Sequence, residues 1–277
     1  MTEAKSIMAG KRGLIMGVAN DRSLAWGIAR SAAEHGAELA DELETLVEEH
    51  GAHTIAAVIV EPLSGSAGVI LPPKGYLERL REICTKNDIL LIFDEVITGF
   101  GRLGAPFAYQ RMNIQPDLLT VAKGMTNATV PMGGVFATAA VREAFLAGPE
   151  TMPDLFHGYT YSGHPLACAA AIATLGAYRE GDIFGNALRM EPIWEDMLHG
   201  LRDLPGVVDI RNFGLVGAIQ ISERDAPGVA GRAVFEAAWD QGLILRPVGD
   251  SLAMSPPLTI DAATIDEIGQ TLRRVLS

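Results

Sequence analysis

Residues 89–134 read ILLIFDEVITGFGRLGAPFAYQRMNIQPDLLTVAKGMTNATVPMGG. The first run, Ile89 to Phe93, is short and apolar, as expected of a fully buried strand. It ends in two acids, Asp94 and Glu95. A second apolar run, Leu118 to Ala122, ends in Lys123 and then a glycine. Open α/β sheets bind ligands at the carboxyl ends of their strands. A carboxylate and an amine at two such ends can converge on one ligand.

Pyridoxal phosphate asks for such a pair: a lysine that bonds its aldehyde, and an Asp that partners the protonated pyridine nitrogen. Each residue alone has a plainer reading, Asp94 as a helix cap or loop acid and Lys123 as a solvated charge after a strand. The joint pattern decides between them. DEVITGFGR at 94–102, PDLLTVAKG at 116–124 and HGYTYSGHP at 157–165 follow one another in order. Together they resemble the class III (ω-amino acid) aminotransferases, most closely the branch that uses pyruvate as acceptor. The resemblance runs from about Asp41 to Ser277.

That resemblance implies an α/β chain of fold type I. It would have a mostly parallel large domain at 41–180, incomplete here, and a C-terminal α+β small domain at 181–277. It implies pyridoxal 5'-phosphate as cofactor, a small amine and a keto acid as substrates, and a homodimer or higher homo-oligomer. Lys123 becomes the cofactor-bonding and proton-shuttling base, and Asp94 the pyridinium partner. Val96 lies on the same side of an extended chain as Asp94 and matches the apolar residue packed on the cofactor face. Thr160 matches the residue that binds the cofactor phosphate across the dimer interface. Arg246, in LILRPVGDS, matches the arginine that pairs with the substrate carboxylate. Glu61, in VIVEP, matches an acid near the pocket and is assigned no role. The family's long segment before the equivalent of Asp41 carries a phosphate cup, a ring-stacking aromatic and further strands. It has no recognisable counterpart here. Exposed sheet edges and impaired turnover are therefore expected.

Composition is consistent with this. The chain has 277 residues, 48% of them hydrophobic, and a formal net charge of −12. No basic stripe is visible, which disfavours nucleic acid and anionic membrane surfaces. No apolar run reaches the ~18 residues of a membrane span, and no targeting segment is evident. Two isolated cysteines, Cys84 and Cys168, suit a reducing cytoplasm, with Cys168 expected to be a buried small hydrophobe. His157 and His164 lack metal-ligand spacing and read as structural.

Periodicity adds helices at 41–50, 75–86, 166–178, around 192–201, at 232–241 and 261–276. Strands are expected at 13–18, 54–60, 134–137, 207–211, 216–221 and 243–248. The strand–helix alternation predicts parallel pairing with right-handed crossovers. The polar turn 223–228 is the one linker-like stretch.

The first forty residues differ. GKRGLIMGVANDRSLAWGIA, at 10–29, resembles the start of the NADH-dependent enoyl-acyl-carrier-protein reductases. Gly17, Ser23 and Gly27 have the look of a pyrophosphate turn, although bare glycines there fit any tight βα turn. None of the five tyrosines has a lysine seven residues on, so that family's catalytic pair is absent. The join between the two resemblances falls within about Glu34 to Leu43. Residues 1–40 carry net charge +1 and the remainder −13, which agrees with a seam. Two other readings stand beside the aminotransferase: a non-catalytic hybrid, and an NADH-binding reductase fragment.

Overall fold

The apolar runs become neighbours in one five-stranded sheet, ordered β1 (Arg12–Ile15), β2 (Ile55–Val60), β3 (Leu90–Asp94), β4 (Leu118–Val121) and β5 (Gly134–Ala137). A computed structural model of the chain describes residues 12–15 (backbone only), 39–147 and 159–277. The expected turn residues Gly17, Ser23 and Gly27 lie outside the described residues, as does His157. The strands β1 to β4 pair in parallel and β5 pairs antiparallel to β4. Helices α1 (Asp41–His50) and α2 (Tyr76–Lys86) cover one face. Their apolar rows, Leu43 and Val47 with Leu77, Leu80 and Ile83, meet Val58, Leu91 and Phe93 in one core.

The expectation that residues 89–93 are buried on both faces is corrected. Leu91 and Phe93 are fully buried, whereas Leu90, Ile92 and Asp94 are half-buried. Among the described residues, α1 and α2 pack on the side of Leu91 and Phe93, and burial along β3 alternates with the period of a strand. At the sheet's end, β5 is nearly bare, with Val135 60% and Phe136 48% exposed.

Helix α3 (Ala108–Met112) lies between β3 and β4, and beyond β5 come α4 (Ala139–Leu146) and α5 (Pro165–Glu180). Cys168, on α5, is half-buried rather than buried. Leu166, Ile172 and Leu175 of the same helix are exposed. The second sheet is antiparallel, ordered β6 (Val207–Asn212), β7 (Gly217–Ile221), β9 (Ser251–Met254), β8 (Arg246–Val248). Three helices pack on it: α6 (Ile183–His199), α7 (Val229–Asp240) and α8 (Ala262–Leu276). Trp194, Leu198, Ile219, Leu252 and Leu272 centre its core. Asp261 caps α8 by accepting from the Thr264 N–H at 2.8 Å.

Two expected boundaries in this half are corrected. Pro192 does not begin a helix but lies inside α6. An interior proline costs ~3 kcal/mol. Burying the face of Ala187, Trp194 and Leu198 spans the proline and offsets that, at ~1.5–3 kcal/mol per large apolar side chain. The run 243–248 forms a strand only from Arg246, because Leu243 N–H closes the end of α7 on Ala238 O at 2.9 Å. The strand β9 follows it after a tight turn at Gly249 (φ 58°).

Arginines join the two sheets. Arg102 donates to Leu215 O (2.9 Å) and Pro256 O (2.5 Å), and Leu215 N–H returns a bond to Arg102 O (3.0 Å). Arg111, on α3, holds Glu191 of α6 through two bonds of 2.9 and 3.0 Å. Arg211 of β6 reaches back to Gly68 O (2.9 Å) and Val69 O (3.2 Å).

Candidate active site

Three adjacent parallel strands end side by side, and each delivers an ionisable residue. Glu61 follows β2, Asp94 ends β3, and Lys123 stands two residues after β4. Asp94 pairs in register with Thr120, three residues before Lys123. Glu61 accepts from Gly65 N–H at 3.2 Å. Its carboxyl is pushed above the ordinary range, first by burial; the nearby Asp94 adds to this and Lys123 opposes it. All three groups therefore share one electrostatic neighbourhood. One Asp94 oxygen accepts from Val96 N–H at 3.1 Å, and the other has no hydrogen-bond partner among the described residues.

The neighbouring acid is a different case. Glu95 is fully buried and accepts from Ala108 N–H (2.5 Å), Tyr109 N–H (2.9 Å) and Thr98 Oγ1 (3.2 Å). It caps α3 from across the loop. Burial raises its pKa, and these hydrogen bonds work against the rise.

Lys123 sits in the left-handed region, φ 46°, at the start of a single tight turn, Lys123–Thr126. A non-glycine residue held there stores strain that the surroundings must compensate. Those surroundings are dense. A Cβ added at Gly124 would lie 2.8 Å from Phe100 Cβ, so only glycine fits after the lysine. The Tyr178 hydroxyl donates to Gly124 O at 2.6 Å. The Phe100 ring packs against Phe107 and Tyr178 at centroid distances of 5.4 and 6.2 Å. Among the described residues Lys123 has no ion-pair partner.

A cavity of about 950 Å³ opens over this turn. Val96, Lys123 and Arg246 line it, together with Gly65, Ser66 and Arg102. Among the described residues its lining holds three cations, Arg102, Lys123 and Arg246, and no Asp or Glu. In a chain of net charge −12, that concentrates positive potential where an anion would enter. Burial brings Arg102 down to about 10, and its bonds go to carbonyls rather than to an acid. Arg246 is exposed and unpaired among the described residues. The backbone marks the same place. Apart from Asp and Asn, the described non-glycine residues with left-handed φ are Val69, Phe100, Lys123 and Ala128. All four line this cavity, and such outliers cluster at functional sites.

Of the sequence-derived candidates, the structure gathers Lys123, Val96 and Arg246 on the cavity, with Asp94 half-buried behind it at the end of β3. Thr160 is exposed before α5 and does not line the cavity. Among the described residues no His/Cys/Asp/Glu cluster could hold a metal, and no helix is long and apolar enough to cross a membrane. The donor set fits parts of pyridoxal phosphate: an amine and a carboxylate oxygen that have no partner among the described residues, and an apolar side chain beside them.

The family model for class-III aminotransferases matches residues 15–276. The chain belongs to the class-III aminotransferases. It is 55% identical over 249 residues to an ω-aminotransferase of Caulobacter vibrioides, covering 90% of this chain and 57% of that protein. It is 45% identical over 253 residues to an ω-amino acid–pyruvate aminotransferase of Pseudomonas putida, covering 88% and 56%. The solved ω-transaminase of Pseudomonas jessenii in complex with PMP superposes with a TM-score of 0.83 at 36% identity, over 88% of this chain and 56% of that one. This class-III chain thus spans a little over half the length of the curated relatives it matches. The family match takes in residues 15–40, most of the stretch that resembles a reductase.

Proposed function

We propose that this chain carries the lysine-bearing part of a pyridoxal-phosphate aminotransferase that passes the amino group of an ω-amino acid or amine to pyruvate. The observation that carries this is Lys123, left-handed at a strand end and without an ion-pair partner among the described residues, with Asp94 on the next strand, beneath a cavity whose described charged lining is cationic. Pyridoxal phosphate, when bound, supplies the aldehyde that takes the amino group and the ring that accepts an electron pair. Lys123 Nζ anchors the cofactor. As a free amine, it would move the proton at the substrate α-carbon. Asp94 keeps the ring nitrogen protonated by opposite-charge pairing. Val96 would pack against the cofactor, and Arg246 would orient the substrate carboxylate by paired hydrogen bonds.

Thr160 then belongs to the phosphate site of a second copy. That reading accounts for its position off the cavity. A homodimer, or higher homo-oligomer, is supported by the apolar surface around it, where Tyr161 is 82% and Ile172 72% exposed. In this reading residues 41–180 are the cofactor-binding domain and 181–277 the small domain, working in the cytoplasm. In the same reading residues 1–40, which resemble a reductase in sequence, are a separate unit. Assayed by itself, the 277-residue chain turns over more slowly than a relative of full length.

The test combines borohydride reduction in the presence of pyridoxal phosphate, peptide mass mapping, and a pyruvate-dependent amine-consumption assay. A pyridoxyl group on Lys123, lost in Lys123→Ala, with amine consumption above background, is the expected result. Label on another lysine or on none would sink the assignment. Label without amine consumption would identify the non-catalytic hybrid instead.

A further inference from the structure

The cavity wall between Glu61 and Ile70 is pinned from the other half of the molecule. Its most strained member is Val69, fully buried at φ 57°. A β-branched side chain in the left-handed region is a conformational outlier. Gly68, before it, also has positive φ (106°), and a Cβ there would come within 3.2 Å of Ser251. The loop closes on itself only weakly. Val69 N–H reaches Gly65 O at 3.3 Å and Gly68 N–H the same oxygen at 3.4 Å, with the Ser64–Ile70 bridge at the base.

Arg211 supplies what the loop lacks. Its Nε donates to Val69 O (3.2 Å), and its Nη2 to both Gly68 O (2.9 Å) and Ser251 Oγ (2.8 Å). Its Nη1 is held by Asp209. Ser251 Oγ donates in turn to Gln220. The guanidinium fork is thus fixed on its own sheet while it grips two successive carbonyls of the loop. Val69 shares a buried cluster with Val216 and with Ala218 and Ala253 of that sheet. With Gly65 and Ser66 it faces the same space as Lys123 and Arg246.

We propose that Arg211 is a positioning residue for substrate selection: it holds Val69 in its strained conformation and so sets the shape of the cavity wall from across the boundary. This rests on the aminotransferase reading. The fork geometry matters, because a lysine keeps the charge but cannot serve Gly68 O, Val69 O and Ser251 Oγ at once.

The experiment uses Arg211→Lys, with Arg211→Met to keep the stem volume without charge. Hydrogen exchange reads the loop directly. In both variants the amides of residues 68–70 should exchange about tenfold faster, with β3 unchanged. In steady state, KM for pyruvate should rise about tenfold, and the preference for pyruvate over a bulkier 2-oxo acid should fall. The kcat for pyruvate should move less than about threefold. Unchanged loop exchange overturns the proposal, as does faster exchange with KM and selectivity intact, which would make Arg211 merely structural. If the unaltered chain shows no turnover, the aminotransferase reading fails by itself. The apparent affinity for pyridoxal phosphate, read by absorbance and by label at Lys123, then replaces KM with the same expected tenfold loss.

Discussion

Substituting Gly124 by alanine tests how tightly the lysine turn is seated. The new Cβ would lie 2.8 Å from Phe100 Cβ and 3.2 Å from its Cδ2. Carbon atoms in favourable contact sit ~3.5–4.0 Å apart, so something must give by about 1 Å. Phe100 is poorly placed to yield. Its N–H is bonded to Pro106 O at 2.6 Å, its φ is 58°, and Phe107 and Tyr178 flank its ring. The Lys123–Gly124 turn therefore moves, and the 2.6 Å bond from Tyr178 to Gly124 O stretches or breaks. Overpacking of this kind costs ~1–3 kcal/mol of stability. A displacement of about 1 Å at the reacting amine costs ~100-fold in rate. The assay pairs thermal melting with amine-consumption turnover and pyridoxyl labelling at Lys123. The expected result is a modest fall in melting temperature with a much larger loss of turnover. Tyr178→Phe, which removes only the bond, should lose ~1 kcal/mol and much less activity. Full turnover and labelling in Gly124→Ala would refute the claim that Phe100 fixes the turn.

Four further outcomes are expected. Asp94→Asn should retain cofactor label at Lys123 but lose most of the half-reaction rate, followed by stopped-flow absorbance; unchanged rates would remove Asp94 from its role. Glu95→Ala strands the Ala108 and Tyr109 N–H groups, and after allowing for relief of a buried carboxylate it should cost ~2–4 kcal/mol in urea unfolding; a cost under ~0.5 kcal/mol would contradict the cap. The Glu61 carboxyl is raised above its ordinary 4.5, chiefly by burial. Its contribution is fully present below that value and is lost as pH rises through its folded pKa. Glu61→Gln should thus flatten the pH–stability curve in that window and raise stability at neutral pH, as read from urea midpoints. Calorimetry should find no NADH binding tighter than millimolar, ~4 kcal/mol; micromolar affinity would revive the dinucleotide site in residues 1–40.

Much of the site was legible because strand ends announce themselves. Asp94 and Lys123 terminate apolar runs, and parallel pairing brings such ends together. What surrounds them was not legible. Glu95 looks equivalent to Asp94 in the sequence, yet strand alternation sends it to the opposite side, where the start of α3, thirteen residues on, meets it. Left-handed backbone at Lys123, Phe100 and Val69 has no sequence signal, since none is glycine or asparagine. Arg211 read only as the end of a strand, because its acceptors lie 142 and 143 residues away. Pro192 misled in the opposite sense, since local propensity placed a helix start where burial of Trp194 and Leu198 kept the helix continuous. Cys168 was expected inside from its alanine-rich run, but composition alone does not say which face of α5 the rest of the protein covers.

The arginines that bridge the sheets bear on how the molecule comes apart. Arg102, Arg111 and Arg211 each place donors on acceptors of the opposite half, and Leu215 returns a bond. Rigid-body opening needs a boundary crossed by few contacts. Here the boundary is stitched at separate points, two of which involve cavity-lining residues, so parting the halves would dismantle the cavity itself. Unfolding should accordingly be a single cooperative event, with no stage at which the antiparallel half melts and leaves a working Lys123 behind. The routine consequence is that the melting midpoint reported by Trp194, in the C-terminal half, equally reports the lifetime of the lysine site in the N-terminal half.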